Sequence, residues 1–210
     1  AELQEAPQAE IDPFGPIAQA LLTNHGYFIN RLIEGFMKAF YEHFKVVPRA
    51  TEILASLDEK DLARFKHEQA EHLRFITSPQ TTREALYERS RQHGRILALM
   101  GIDSALMVSN FELYQRHLAE SLDRSTLRTQ DRYRLLKIVI ARHDINLQYQ
   151  IRSIATVHDA YYTVLTEPFP ETIHNWYDLL QSELSRLGSL PGVMAVMLMR
   201  PDALGRFIIE

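Results

Sequence analysis

Between Asp131 and about Leu165, apolar or bulky side chains return by fours and threes, at Leu136, Ile140, His143, Leu147, Gln150, Ile154, Val157, Tyr161 and Val164. That rhythm keeps one stripe on one side of an α-helix. A helix this long runs about 50 Å at 1.5 Å per residue, more than the roughly 30 Å of a small domain. The stripe must therefore be covered by the protein's own core or by a second helix. The spacing predicts a helix that pairs with its counterpart in a homodimer. The competing reading is a long core helix with a wide apolar face, because the polar His143 and Gln150 interrupt the stripe.

Upstream the pattern is also helical. Leu32, Phe36, Phe40, Phe44 and Val47 recur at helical spacing ahead of Pro48, which marks a helix end. Ser56-Leu-Asp-Glu59 matches a capping box leading into Leu62, Phe65, Gln69, His72, Leu73 and Ile76, and Thr77-Ser-Pro-Gln80 breaks that helix. A further helix is expected from Thr82 to about Met100, stopped by Gly101. Asp103-Ser104 then caps one carrying Met107, Phe111, Tyr114 and Leu118. No strand alternation or repeat appears in this region.

Past Glu167-Pro-Phe-Pro170 the character changes. A helix is expected from about Glu171 to Leu187, followed by Gly188 and Leu190-Pro-Gly192. Val193 to Met199 reads as a buried strand, Arg200 to Gly205 as a turn, and Arg206 to Glu210 as a second strand. A lone hairpin leaves open edges, so this region is expected to be the beginning of a larger sheet domain. Helix, apolar strand, turn and strand over these 40-odd residues resemble the start of a GAF-type sensory domain.

Composition narrows the function. Of 210 residues, 46% are hydrophobic, enough for one substantial core and the beginning of a second. A net charge of −4, with 23 basic and 27 acidic residues dispersed along the chain, supplies no basic stripe for nucleic acid or anionic lipid. Without cysteine there is no disulfide, Cys-ligated zinc or thiol nucleophile. No apolar run is long enough to span a membrane, and Ala1 to Pro16 is acidic and proline-containing, unlike a secretory signal. The expectation is a cytoplasmic protein with no nucleic-acid or membrane partner. Catalytic patterns are absent too: there is no phosphate-cradling glycine loop and no repeated Glu-x-x-His, and the pairs His67-Glu68 and Glu71-His72 read as a solvated face. The region reads as sensory or regulatory, not enzymatic.

Three pieces in residues 28 to about 155 carry a family resemblance. They are Ala39-Phe-Tyr-Glu-His-Phe-Lys-Val-Val-Pro48, the Leu62 to Leu73 helix, and Gly94-Arg-Ile-Leu-Ala-Leu-Met-Gly-Ile102. In type and order they resemble the globin-coupled sensors of bacterial signalling proteins, in which the last piece commonly reads Gly-x-x-His-x-x-Ile-Gly-Ile/Val with its histidine on haem iron. The resemblance implies an all-α, globin-like helical sandwich with a long C-terminal helix, followed by the short α+β fragment. It implies a flexible segment over 1–16, a sensor globin over 17–155 whose last helix extends to about 165, and the truncated GAF-like start over 166–210. It further implies haem b, a diatomic gas ligand, and an output beyond the chain, cyclic-di-GMP turnover being the expected class.

Within that resemblance Tyr41 falls at the distal tyrosine, Phe65 at a bulky distal position and Leu97 at the ligand position itself. Leucine has no lone pair for iron. His93, four residues earlier on the same helical face, is the substitute metal ligand that a one-turn slide would supply, and His67 or His72 could serve from the opposing helix. Structural roles compete at each position: a core tyrosine, core filler, a capping histidine. Two functional readings follow, a haem-based gas or redox sensor and a haem-free globin serving as a dimerisation or interaction module, with room for a small apolar ligand in the vacated pocket. A generic helical bundle is the third.

Overall fold

Helix-end chemistry sets the divisions of the chain in a computed structural model, which describes residues 11–166, 176–197, 199–201 and 207–209. Pro16 opens α1 (Pro16–Asn24), α2 follows as Gly26–Phe44, and Pro48 opens α3 (Pro48–Ala55). Three side-chain caps start the next helices. Asp58 accepts from the Asp61 N–H to begin α4 (Glu59–Thr77), Thr82 from Ala85 to begin α5 (Arg83–Leu99), and Asp103 from Leu106 to begin α6 (Ser104–Asp123). The long helix is α7, Thr129–Thr166. The expected all-α architecture is present. The expected capping box is not: Ser56 ends α3, its hydroxyl donating to the Ile53 carbonyl at 2.7 Å. Pro48 does not merely close α2. It starts another helix, and that helix consumes Ser56.

The chain divides into two compact units at Ser153 and Ile154. In the first, α2 packs against α4 and α6. Ile29, Leu32, Ile33, Phe36, Phe40 and Phe44 form its buried stripe. Each such side chain contributes ~1.5–3 kcal/mol on burial against about 1 kcal/mol for a cap, so packing holds the helices and caps fix where they begin. Residues 11–15, in the segment expected to be flexible, are held by Arg142 of α7. That guanidinium is fully buried, donating to the carbonyls of Pro13 (2.8 Å), Ile76 (3.0 Å) and Ser78 (2.6 Å) and lying 4.7 Å from the Phe14 ring centre. Burial pulls its pKa down to about 10.

The second unit contains the end of α7, α8 (Trp176–Gly188) and an antiparallel pair, β1 (Met199–Pro201) with β2 (Phe207–Ile209), in the register Met199 to Ile209. Tyr161 donates to the Pro191 carbonyl at 2.8 Å, and Arg186 reaches the Val164 carbonyl. The buried strand expected from Val193 is not formed. Residues 193–197 are irregular, with Met194 fully exposed and Met197 59% exposed. An apolar run becomes a buried strand only where a second layer covers it, and these methionines have no such cover. The start of the expected helix at Glu171 lies outside the described residues.

Candidate functional site

The close of α5 fixes the geometry of the site. Gly101 takes the left-handed conformation (φ 79°), the Ile102 N–H donates to the Leu97 carbonyl at 2.9 Å, and the Gly101 N–H to the Ala98 carbonyl at 2.9 Å. These two bonds form a Schellman stop, which locks residue 97 in the last turn and usually brings the residue after the glycine against it. Leu97 and Ile102 are both buried and line one cavity of about 80 Å³. Phe36, Phe40 and Phe44 of α2 and Phe65 of α4 complete its apolar wall.

The opposite wall is polar. On α7, His143, Asn146 and Gln150 follow at helical spacing and face inward. Asn146 Oδ1 accepts from Ser90 Oγ (2.9 Å), which fixes the amide orientation, and lies 2.8 Å from His72 Nε2, a ring nitrogen that Gln150 Nε2 also approaches at 3.2 Å. Asn146 Nδ2 donates to Gln150 Oε1 (3.3 Å), so Gln150 presents its Nε2 to His93 Nδ1, 2.6 Å away. His93 therefore carries its own proton on Nε2, 3.0 Å from the side-chain nitrogen of Gln69. Turning that amide end for end gives the ring N–H an oxygen to donate to. The His72 and His93 rings stack at 4.0 Å. Both imidazoles are neutral: burial pulls His72 down to about 4 and His93 well below its ordinary value, with repulsion from His72 second for His93.

Close packing of α5 against α7 brings His93 into that network. A side-chain carbon on Gly94 would stand 2.7 Å from the Gln150 backbone and 3.0 Å from Ser153 Cβ. Only glycine permits this crossing, and His93 is the neighbouring residue.

The cavity thus brings together Phe65, His93 and Leu97. Tyr41 is not part of its lining. The Tyr41 ring meets Phe40 edge-on at 5.0 Å and lies 4.9 Å from Lys66 Nζ, with its hydroxyl buried and without a partner. His67 is exposed on α4, whereas His72 is buried in the network. Sequence reasoning missed Gln69, Ser90, Asn110, Tyr114 and Asn146 as members of this site. The signal was present in part, since His143 and Gln150 interrupt the α7 stripe at the positions that face inward.

Haem, the group implied by the family resemblance, does not fit the residues as arranged. Leu97 offers iron nothing, and the His93 lone pair already accepts a hydrogen bond. A cavity of about 80 Å³ is smaller than the ~150 Å³ that holds a benzene. Among the described residues no cluster of three or more His, Cys, Asp or Glu side chains could hold a metal ion, and no helix is long and apolar enough to cross a membrane.

The Protoglobin family model matches residues 14–160. A solved structure, the ferric globin domain of DosC from E. coli, superposes with a TM-score of 0.53 at 18% identity, covering 69% of this chain and 91% of that one. At that identity the match shows the globin fold. Among curated proteins none matches the sequence. The family match stops at residue 160 and leaves the GAF-type expectation for 166–210 without support.

Proposed function

Because the chain belongs to the Protoglobin family, we propose that it is the sensory globin of a signalling protein and that its pocket is governed by a histidine–amide network in place of a porphyrin. Membership of a globin family suggests haem binding. The observation that carries the haem-free reading is the pairing of Leu97 at the usual ligand position with a His93 whose two ring nitrogens both face amides. Freeing either nitrogen leaves a buried polar group unsatisfied, at about 1–3 kcal/mol each.

The network suits a sensor because α7 is both its wall and the longest helix. A rearrangement of the cavity that displaces Asn146 or Gln150 reaches that helix directly, and it biases the output only by its different affinity for two arrangements of α7. Pairing of two chains through α7 belongs to this proposal, with a change. His143, Leu147 and Gln150, expected in the dimer seam, line the chain's own cavity. Tyr162 and Leu165, 70% and 69% exposed, are the apolar surface left near the helix end. Light scattering across dilution should return twice the chain mass, and a strictly monomeric protein contradicts the pairing. Cyclic-di-GMP turnover is the output class suggested by the resemblance to globin-coupled sensors.

A second reading, gas or redox sensing through haem b, is favoured by three histidines, His72, His93 and His143, on one cavity wall. Protein expressed with excess haem precursor separates the two by its absorption spectrum. The haem-free reading predicts no stoichiometric Soret band. A band present in the wild type and lost in His93→Ala establishes the second reading.

A further inference from the structure

Behind the histidine–amide network the cavity has an inner end where Asn110 and Tyr114 of α6 meet His143 of α7. We infer that this inner end is a binding site for a small uncharged molecule of a few heavy atoms bearing a hydrogen-bonding group, admitted past the stacked His72 and His93 rings. This rests on the reading above that no porphyrin fills the cavity.

Three polar atoms there, Tyr114 Oη, His143 Nε2 and Asn110 Oδ1, are buried without a protein partner. Tyr114 and His143 are only 2% and 4% exposed. Buried polar groups are nearly always satisfied, so three on one cavity wall call for something that bonds to them. The rings are held in place: Tyr114 stacks on His143 at 3.9 Å and meets Phe36 edge-on at 4.9 Å. Phe36, Met107 and Phe111 supply apolar contact around them.

Size and charge narrow the ligand. About 80 Å³ lies between the ~30 Å³ share of one water and the ~150 Å³ cavity that takes benzene. No Asp, Glu, Lys or Arg lines the cavity, so an ion would enter without a counter-charge, at high cost. The unpaired set includes a hydroxyl donor, Tyr114 Oη, and an amide acceptor, Asn110 Oδ1, which favours an alcohol or amide over a pure hydrocarbon.

His72 and His93 line this cavity and also a groove on the outer side of α4 and α5, beside Glu68, Phe75, Glu88 and Ile96. The two rings are thus a shared wall between inside and outside. Swinging His93 aside breaks its stack on His72 and its contacts with Gln69 and Gln150.

Propan-2-ol and its shape analogue isobutane are suitable probes, titrated into isotope-labelled protein whose absorption spectrum has first been recorded. Propan-2-ol should give saturable shifts in α6 and α7 residues around Tyr114, weakened roughly five- to tenfold in Tyr114→Phe, as loss of one buried hydrogen bond predicts. Isobutane should not distinguish the two proteins. His93→Ala should speed exchange of bound propan-2-ol. The absence of saturable propan-2-ol shifts in wild type overturns the site, as does equal affinity in Tyr114→Phe. Unchanged exchange in His93→Ala overturns the entry route. A stoichiometric Soret band in the starting spectrum contradicts the haem-free reading itself and is recognised before any titration.

Discussion

Three neutral histidines inside one protein make stability depend on pH in a definite direction. Burial depresses His72 to about 4 and His143 to about 3, with repulsion from His72 second for His143, and His93 also lies well below the ordinary value of 6.5. The unfolded chain therefore takes up protons first as pH falls. The stability these rings contribute is fully present above about 6.5 and is lost on descent towards 4, at up to ~1.4 kcal/mol per pH unit for each ring. Urea midpoints measured from pH 7.5 to 4 should fall steeply below 6.5, and His143→Phe should flatten part of that fall. A midpoint that holds level to pH 4 contradicts the buried neutral assignment. Arg142 gives a second test. In Arg142→Met the carbonyls of Pro13, Ile76 and Ser78 lose the guanidinium as a donor, Ser78 keeping the Thr81 N–H, so denaturant unfolding should show a loss of about 2–4 kcal/mol. A change within 0.5 kcal/mol, as for an ordinary surface site, would mean that the clasp is dispensable.

Between elements, the decisive contact is α5 against α7 at Gly94. Substitution by alanine places a carbon 2.7 Å from the Gln150 backbone, and backbone cannot swing away as a side chain can. Gly94→Ala should destabilise by about 1–3 kcal/mol despite the ~1 kcal/mol that alanine gains in helix propensity. It should also disturb the His93 ring resonances. A stabilised Gly94→Ala would show that the helices do not cross so closely. Helix ends were well legible in the sequence where one residue decides them, as at Thr82, Gly101 and Asp103. At Ser56 they were not, because two helices competed for one polar cluster and Asp58 won the second. The strand expected from Val193 failed for a different reason. Apolar pattern records what a segment would bury, not whether another layer is present to cover it.

For the molecule as a whole, the order of motifs carried the fold: Phe40-Tyr41, the Leu62 to Leu73 helix and the Gly94 to Ile102 stop lie in a chain that belongs to the Protoglobin family. The site was legible only as far as local spacing reaches. Leu97, Phe65 and His93 meet at the cavity, yet the partners that neutralise His93 come from residues 24 and 57 positions away in sequence, a distance no periodicity spans. Tyr41 is one position from Phe40, which lines the cavity, and one position turns a helical side chain by about 100°. The most direct test is a side-by-side hemin titration of wild type and Leu97→His. The wild type should show no saturable Soret band, and Leu97→His, by restoring an imidazole at the end of α5, should acquire one at about one haem per chain. A wild type that saturates equally well would show that Leu97 and the amide-bound His93 do not keep haem out.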